Sequence, residues 1–168
     1  TSNLAQYQDL TVVSLVTNPE NLFDPDTGIY VTGNQYLDWK NSDAYNPDKS
    51  VWDTDNLTNY FSKGKEWERE AALTVFQDGK AVVDQNIGIR IKGASSRNSA
   101  QKNFNLYARS TYGASKISYP LIPDNYAADG TLIDQYDSVS LRAVSEEGRL
   151  RDGFSQKLLT DRTTLTKQ

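Results

Sequence analysis

Residues 67–92, WEREAALTVFQDGKAVVDQNIGIRIK, decide the predicted fold, because their apolar side chains recur at every second position. The recurring positions are Ala71, Leu73 and Val75 in the first half and Ile87, Ile89 and Ile91 in the second. A period of two is typical of strands with one buried face. Asp78-Gly79 lies between the two halves and is a strong hairpin signal. Arg90 and Lys92 occupy alternate positions, so the pattern predicts antiparallel strands with a basic outer face.

Further strand signals flank this stretch on both sides. They lie at 10–17 (LTVVSLVT), 28–32 (GIYVT), 103–109 (NFNLYAR), 117–121 (ISYPL) and 138–144 (SVSLRAV). Residues 148–161 instead place Leu150, Phe154 and Leu158 four apart, which predicts an amphipathic helix. Together the patterns predict an α+β fold, a mostly antiparallel β-sheet with one packed C-terminal helix, in a single domain spanning 1–168.

Residues 33–60 have the weakest periodicity and a high density of acidic side chains. The aspartates of this stretch are Asp38, Asp43, Asp48, Asp53 and Asp55. We interpret it as a long acidic surface loop, since long loops inside a domain are often functional or mobile. Oxygen ligands at this density are also compatible with Ca2+, although a solubilising loop is the simpler interpretation.

Composition excludes several classes of function. The 168 residues (18.8 kDa) contain neither cysteine nor histidine, which removes disulfides, Cys/His zinc sites and Ser-His or Cys-His nucleophilic pairs. A net charge of -4 and a pI of about 4.8 argue against a nucleic-acid partner, whose binding depends on positive charge. No apolar run approaches the ~20 residues of a membrane-spanning helix, so no membrane association is predicted, and the polar N-terminal residues do not form a signal peptide.

The strand signal that ends at Lys92 runs directly into a short loop of small and basic residues, GASSR. Glycine and small side chains allow backbone N–H groups to approach an anion, while hydroxyl and guanidinium groups add further donors. The sequence therefore predicts a phosphate-binding loop, with a solvated hairpin turn as the alternative interpretation. The candidate phosphate contacts are Gly93, Ser95, Ser96, Arg97 and Lys102.

The residues around this loop resemble a known family. Residues 88–124, GIRIKGASSRNSAQKNFNLYARSTYGASKISYPLIPD, resemble the CotH kinase family, whose members combine a G-x-S-S-R loop, a Q-K-S/N-F strand, Y-G and a Y-P-L-F/I-like segment. Four other segments resemble the family in the same order: VVSLVTNPENLFDPDTGIYV (12–31), WEREAALTVF (67–76), DSVSLRAV (137–144) and LRDGFSQKLL (150–159). The resemblance covers most of the chain, and the ordered set is more specific than any one motif.

The CotH family consists of atypical protein kinases, first associated with bacterial spore coats and also found in secreted and surface proteins. The resemblance therefore implies a fold like the N-lobe of a kinase and an ATP-dependent activity towards Ser or Thr of a protein substrate. It also implies a secreted, cell-surface or spore-coat location in bacteria. By position, residues 93–97 would cover the nucleotide and Lys102 would be the catalytic, phosphate-binding lysine, reached from a strand as in kinases.

The resemblance also indicates which parts are incomplete. Asp152 and Gln156 on the predicted helix are the candidates to brace Lys102, where kinases usually have Glu. Family members use Mg2+ or Mn2+, and no catalytic-loop motif follows the predicted helix, so residues outside this chain would hold most of the metal. We therefore expect an N-terminal lobe that is inactive as an isolated fragment, and the sequence leaves the oligomeric state open.

Other constellations support weaker alternatives. The loop at 21–28 (NLFDPDTG) partly mimics a cation-binding loop but lacks a bidentate Glu, so turn residues are the simpler interpretation. Trp39, Trp52 and Trp67 with ten tyrosines suggest carbohydrate stacking, although core packing is the commoner use of such residues. The glutamates at 66, 68 and 70 share one strand face with no acid opposite, which argues against glycoside hydrolysis. The alternative function is a non-catalytic spore-coat or surface interaction module, or a carbohydrate-associated module.

Overall fold

The computed structural model describes residues 10–49 and 57–143, and the elements below belong to this part of the chain. Its strands are β1 (Val12–Val16), β2 (Arg69–Gln77), β3 (Lys80–Lys92), β4 (Asn103–Tyr107), β5 (Ile117–Ser118), β6 (Gln135–Tyr136) and β7 (Ser138–Leu141). Its α-helices are α1 (Pro19–Phe23) and α2 (Asn34–Lys40), and short 3-10 turns cover Asn59–Phe61, Lys65–Trp67 and Ser95–Asn98.

Five strands form one antiparallel sheet in the order β1-β2-β3-β4-β7, and β5 pairs with β6 in a separate two-stranded sheet. This confirms the predicted α+β class with a mostly antiparallel sheet. The predicted hairpin is also confirmed, because Asp78 and Gly79 both adopt positive φ (49° and 72°) in the tight turn between β2 and β3. The pairing register shifts between Val75 and Phe76, where β3 accommodates an extra residue.

The two faces of the large sheet differ in chemistry. One face carries the buried aliphatic core contributed by the central strands: Ala71, Leu73, Val75, Val83, Ile87, Ile89, Ile91 and Leu106. Each fully buried aliphatic side chain of this kind stabilises the fold by about 1.5–3 kcal/mol. The opposite face, called the polar face below, carries Glu70, Thr74, Asp84, Asn86, Arg90, Lys92, Asn105, Tyr107, Ser138 and Ser140.

The segments before β2 and after β4 pack against the apolar face. Ile29 is 1% exposed and Ile117 is 0% exposed, and both belong to the core cluster. Tyr30 and Tyr119 are partly buried against the same cluster. Connecting segments therefore supply part of the core, which the strands alone do not complete.

Two predicted strands are wrong in extent. Residues 28–32 form no strand, because Ile29 N donates to Asn21 O at 3.0 Å and Tyr30 N donates to Leu22 O at 2.9 Å. These local bonds fold the segment back onto α1 instead of leaving it free for a neighbouring strand. The strand predicted at 117–121 is only two residues long, since Pro120 cannot donate to a ladder.

The interpretation of 33–60 as one surface loop is also wrong for its described part, since the segment contains α2 and the buried turn Asn59–Phe61. The Asn59 side-chain amide donates to Pro25 O at 3.2 Å and to Gly28 O at 3.1 Å. Gly33 is required beside it (φ 89°), because a Cβ there would overlap the Asn59 side chain. This segment is thus pinned to α1 and its following turn by buried polar contacts.

Some predictions fall outside the described residues. The helix predicted at 148–161, the strand end at Val144 and the aspartates Asp53 and Asp55 lie there. Among the described residues, no helix has the length and apolar character needed to cross a membrane.

Candidate functional site

The predicted phosphate loop connects β3 to β4 at one end of the sheet. β3 ends at Lys92, and Gly93 turns the chain with φ 119°, a conformation that favours glycine. A Cβ on Gly93 would overlap the Ser96 hydroxyl oxygen, which accepts a hydrogen bond from the Asn103 amide at 3.0 Å. The loop is therefore a compact turn held by its own side chains.

Arg97 is buried in this turn, with 8% of its surface exposed. Its guanidinium donates to three carbonyl oxygens, those of Gly93 (2.6 Å), Tyr60 (3.0 Å) and Ser62 (3.1 Å). Burial, followed by the charge of Arg90, lowers the pKa of Arg97 from its ordinary value. The guanidinium thus ties the loop to the 59–62 turn.

Lys102 immediately precedes β4 and is 7% exposed. Its ammonium donates to Arg97 O at 2.8 Å and to Ser99 O at 3.0 Å. The Nζ atom lies 4.1 Å from the centre of the Tyr60 ring and 5.2 Å from that of Tyr30. No described carboxylate forms an ion pair with it, and burial lowers the pKa of Lys102 below its usual range.

An open cavity of about 540 Å³ lies beside Lys102. Aromatic, aliphatic and uncharged polar residues line the rest of it: Phe23, Pro25, Tyr30, Val31, Thr32, Gly33, Leu37, Tyr60, Asn98, Ser99 and Ala100. Its volume lies within the range of small-molecule sites. Among the described residues, Lys102 supplies the one charged side chain in this lining, so the cavity suits a ligand with an apolar part and an anionic part.

Only one of the predicted phosphate-binding residues lines the cavity. Lys102 lines it, whereas Gly93, Ser95, Ser96 and Arg97 are not among its lining residues. Arg97 and Lys102 lie close together, because the ammonium of one donates to the carbonyl of the other, but the guanidinium points towards the 59–62 turn. The role of these residues in phosphate binding stays a prediction, and Asp152 and Gln156 lie outside the described residues.

Sequence reasoning missed Tyr30, which organises the cavity wall. Its hydroxyl donates to Ala100 O at 3.0 Å and accepts from Lys102 N at 3.0 Å, and its ring stacks on Phe104 with centroids 6.0 Å apart. The local signal at this position is a short apolar run, GIYVT, which predicts a strand. The contact spans 72 residues of sequence, and no local pattern indicates it.

A second cluster of charged groups lies on the polar face. The Glu68 carboxylate has no exposed side-chain surface and accepts from Arg109 Nε at 2.7 Å and Nη2 at 3.1 Å. Arg90 Nε lies 3.3 Å from the same carboxylate. Gly88 makes room for this arrangement, since a Cβ there would lie 2.6 Å from Glu68 Oε1. Glu68 therefore faces two arginines and is not a solvent-facing acid. The predicted shared strand face of the three glutamates is wrong, because Glu66 lies in the 3-10 turn Lys65–Trp67 and β2 begins only at Arg69.

The acidic turn at 24–27 forms its own hydrogen bonds. Asp24 Oδ1 accepts from the backbone N–H groups of Asp26 (2.9 Å) and Thr27 (2.7 Å), and the bond from Thr27 contributes most to lowering the pKa of Asp24. Asp26 accepts from the Asn34 amide. Within 10–49 and 57–143, no three acidic side chains form a group able to hold a metal ion, so these residues do not fit the metal that the resemblance implies.

Of the tryptophans considered for carbohydrate stacking, Trp39 lies in an aromatic cluster, and Trp52 lies outside the described residues. The Trp39 ring lies 5.7 Å from the Tyr36 ring and 5.1 Å from that of Tyr45, on α2 and the turn after it. None of the three belongs to the core cluster, whereas Trp67 packs against that core. Carbohydrate binding at this surface stays a prediction.

No protein-family model, curated protein or solved structure matches this chain.

Proposed function

We propose that this chain is the N-terminal lobe of a CotH-type Ser/Thr protein kinase and that the cavity beside Lys102 accepts part of ATP. The burial of Lys102 is the observation that carries the proposal, because its ammonium has no carboxylate partner within 10–49 and 57–143 and its charge is therefore left for a ligand anion. Kinases use a strand lysine of this kind to contact nucleotide phosphates. The aromatic and aliphatic lining suits the nucleobase or ribose.

The hydrogen bonds of Lys102 orient it for this role. Two of the three ammonium donors are directed to Arg97 O and Ser99 O, and the rings of Tyr30 and Tyr60 flank the group. The remaining N–H is the donor available to a phosphate oxygen. An ammonium held in place before the ligand arrives loses little freedom on binding.

In this proposal the chain binds and orients the ATP phosphates through Lys102 but does not provide every group that phosphoryl transfer needs. Phosphoryl transfer also needs acidic groups for a divalent metal and a residue that orients the substrate hydroxyl. The lining residues within 10–49 and 57–143 include no Asp or Glu, so we assign no metal-dependent step to them. We also propose, on the same resemblance, that the protein acts on Ser or Thr of a protein substrate and is located at the bacterial surface or spore coat or is secreted.

Calorimetric titration of the 168-residue chain with ATP, in the presence of Mg2+ and separately of Mn2+, tests the proposal. We expect binding that weakens about tenfold or more in Lys102→Met, since a charge-assisted hydrogen bond contributes roughly 1.5–3 kcal/mol. Lys80→Met is the matched control, because Lys80 is exposed at the far end of β3 and should leave binding unchanged. Circular dichroism of both variants checks that the fold is intact.

Two outcomes would contradict the proposal. One is the absence of ATP binding by the folded wild-type chain with either metal, and the other is equal binding by wild type and Lys102→Met. Either would favour the alternative of a non-catalytic surface module, for which the partly exposed aromatic cluster of Tyr36, Trp39 and Tyr45 is the candidate surface.

A further inference from the structure

The polar face carries a group of hydrogen-bond donors that the proposed nucleotide cavity does not use. Arg90, Asn105 and Ser140 are direct cross-strand neighbours on β3, β4 and β7. Lys92 lies two residues beyond Arg90 on β3 and therefore on the same face. Arg90, Lys92 and Ser140 are called the basic patch below.

Arg90 is held in one orientation while its donors remain available. Its guanidinium lies 4.1 Å from the centre of the Tyr107 ring, and its side chain is 23% exposed. The Nε atom lies 3.3 Å from Glu68 but makes no hydrogen bond of acceptable geometry. No described residue accepts a hydrogen bond from this guanidinium, whereas Arg109 binds the same carboxylate through two.

Lys92 is oriented by a chain of polar groups across the strands. Its ammonium donates to Ser140 Oγ at 2.6 Å, and Ser140 Oγ donates to Asn105 Oδ1 at 2.7 Å. The Asn105 amide donates in turn to Tyr107 Oη at 3.1 Å. One of the three Lys92 N–H donors is therefore used, and two remain.

The charges on this part of the face do not cancel. Glu68 is the carboxylate in contact with the cluster, and it already faces both Arg90 and Arg109. Glu70, another acid on this face, accepts from the Asn86 amide at 3.1 Å. Among the described residues of this cluster, two arginines and Lys92 against one buried carboxylate leave an excess of positive charge in a chain whose net charge is -4.

We infer that the basic patch is a second anion site, which binds a tetrahedral oxyanion of the phosphate-monoester class between Arg90 and Lys92. Residues two apart on a strand are separated by about 6.6–7 Å. This is the spacing of the backbone positions, and it brings both side chains to one face of the sheet within reach of a single ligand. A guanidinium fork beside an ammonium group matches the geometry and charge of phosphate.

This site is distinct from the cavity at Lys102. Lys102 and its ring partners Tyr30 and Tyr60 line the cavity, whereas none of the residues of the basic patch does. Its ligand is identified here only by its chemistry, which free phosphate and a phosphorylated side chain share.

Titration of 15N-labelled protein with inorganic phosphate tests the site by NMR. We expect saturable shifts at the Arg90 Nε–H and at the backbone amides of Lys92, Asn105 and Ser140. Arg90→Gln and Lys92→Met should each weaken binding about tenfold, because each removes a charge-assisted contact. Lys102→Met should leave the titration unchanged, which separates this site from the proposed nucleotide site.

Parallel titrations with O-phosphoserine, acetate and sodium chloride at equal ionic strength identify the ligand class. Tighter binding of O-phosphoserine than of phosphate favours a phosphorylated partner, and equal binding favours free phosphate. Responses to acetate or chloride equal to those of phosphate would overturn the inference, as would unchanged binding in Lys92→Met. If Arg90→Gln fails to fold because Glu68 loses a partner, Lys92→Met alone decides the result.

Discussion

The buried charged side chains of the described residues are stabilised in two different ways. Glu68 is paired with guanidinium groups, so its charge is balanced inside the fold. Arg97 and Lys102 instead donate to backbone carbonyl oxygens, which stabilise a cation by their dipoles without cancelling its charge. Because its charge is not cancelled by a described carboxylate, Lys102 is the centre of the proposed anion site.

Gly88→Ala tests how tightly the Glu68 cluster is built. The added Cβ would lie 2.6 Å from Glu68 Oε1, and two arginines prevent the carboxylate from moving away. We expect the free energy of unfolding in urea to fall by about 1–3 kcal/mol, as is typical of overpacking. Gly113→Ala is the matched control, because its nearest new contact is an ordinary 3.5 Å.

Equal stability of Gly88→Ala and Gly113→Ala would contradict the view of Glu68 as a rigidly bound group. A loss in Gly88→Ala that disappears in the double variant with Glu68→Ala would support it, since the steric partner is then gone.

The loop between β3 and β4 is fixed by hydrogen bonds from Arg97 and from two tyrosines that belong to other segments. Arg97 ties it to the 59–62 turn, Tyr60 Oη donates to Asn98 Oδ1 at 3.0 Å, and Tyr30 bonds both the carbonyl of Ala100 and the amide of Lys102. A phosphate that is to be covered by this loop must compete with these contacts. The element is thus a preformed wall of the cavity, to which Ser99 contributes and Ser95 and Ser96 do not.

Arg97→Gln should loosen this element more than the sheet. Loss of the guanidinium leaves the carbonyls of Tyr60 and Ser62 without this donor, which costs about 1–3 kcal/mol for each buried group left unsatisfied. We expect amide hydrogen exchange to accelerate at 57–62 and 93–101 while β2 and β3 remain protected. Unchanged exchange in both segments would show that the loop is held by other contacts.

At the scale of the whole molecule, two titratable groups buried between the sheet and its connecting segments make the free energy of unfolding depend on pH. Lys102 and Tyr60 lie where these parts meet, and burial lowers the pKa of Lys102 and raises that of Tyr60. A lowered lysine pKa means that the unfolded chain binds more protons between the folded value and 10.5, so stability rises with pH in that window. A raised tyrosine pKa has the opposite effect above 10.0.

Comparison of wild type with Lys102→Met isolates the lysine contribution to this pH dependence. We expect the unfolding free energy of wild type to gain on that of the variant as pH rises towards 10.5, and the difference to level off above it. Urea denaturation at a series of alkaline pH values measures the difference. Parallel profiles would mean that burial does not perturb Lys102 in the folded state.

Local pattern was enough to predict the sheet. The alternation of Ile87, Ile89 and Ile91 and the turn chemistry of Asp78-Gly79 are properties of neighbouring residues, and the strands and hairpin follow from them. The same reasoning failed for residues 28–32 and for the 33–60 loop, because local bonds to α1 and the buried amide of Asn59 decided those segments.

The amino-acid sequence by itself determined the antiparallel sheet, its apolar face and the position of Lys102 at the start of β4. Only the tertiary structure decided which donors remain for a ligand. Arg97 is directed to the carbonyls of a turn 35 or more residues away, and the Lys102 amide bonds Tyr30 across 72 residues. The physical reason is that a donor can be satisfied by any acceptor that folding brings near, and such long-range pairings leave no periodic trace in the chain.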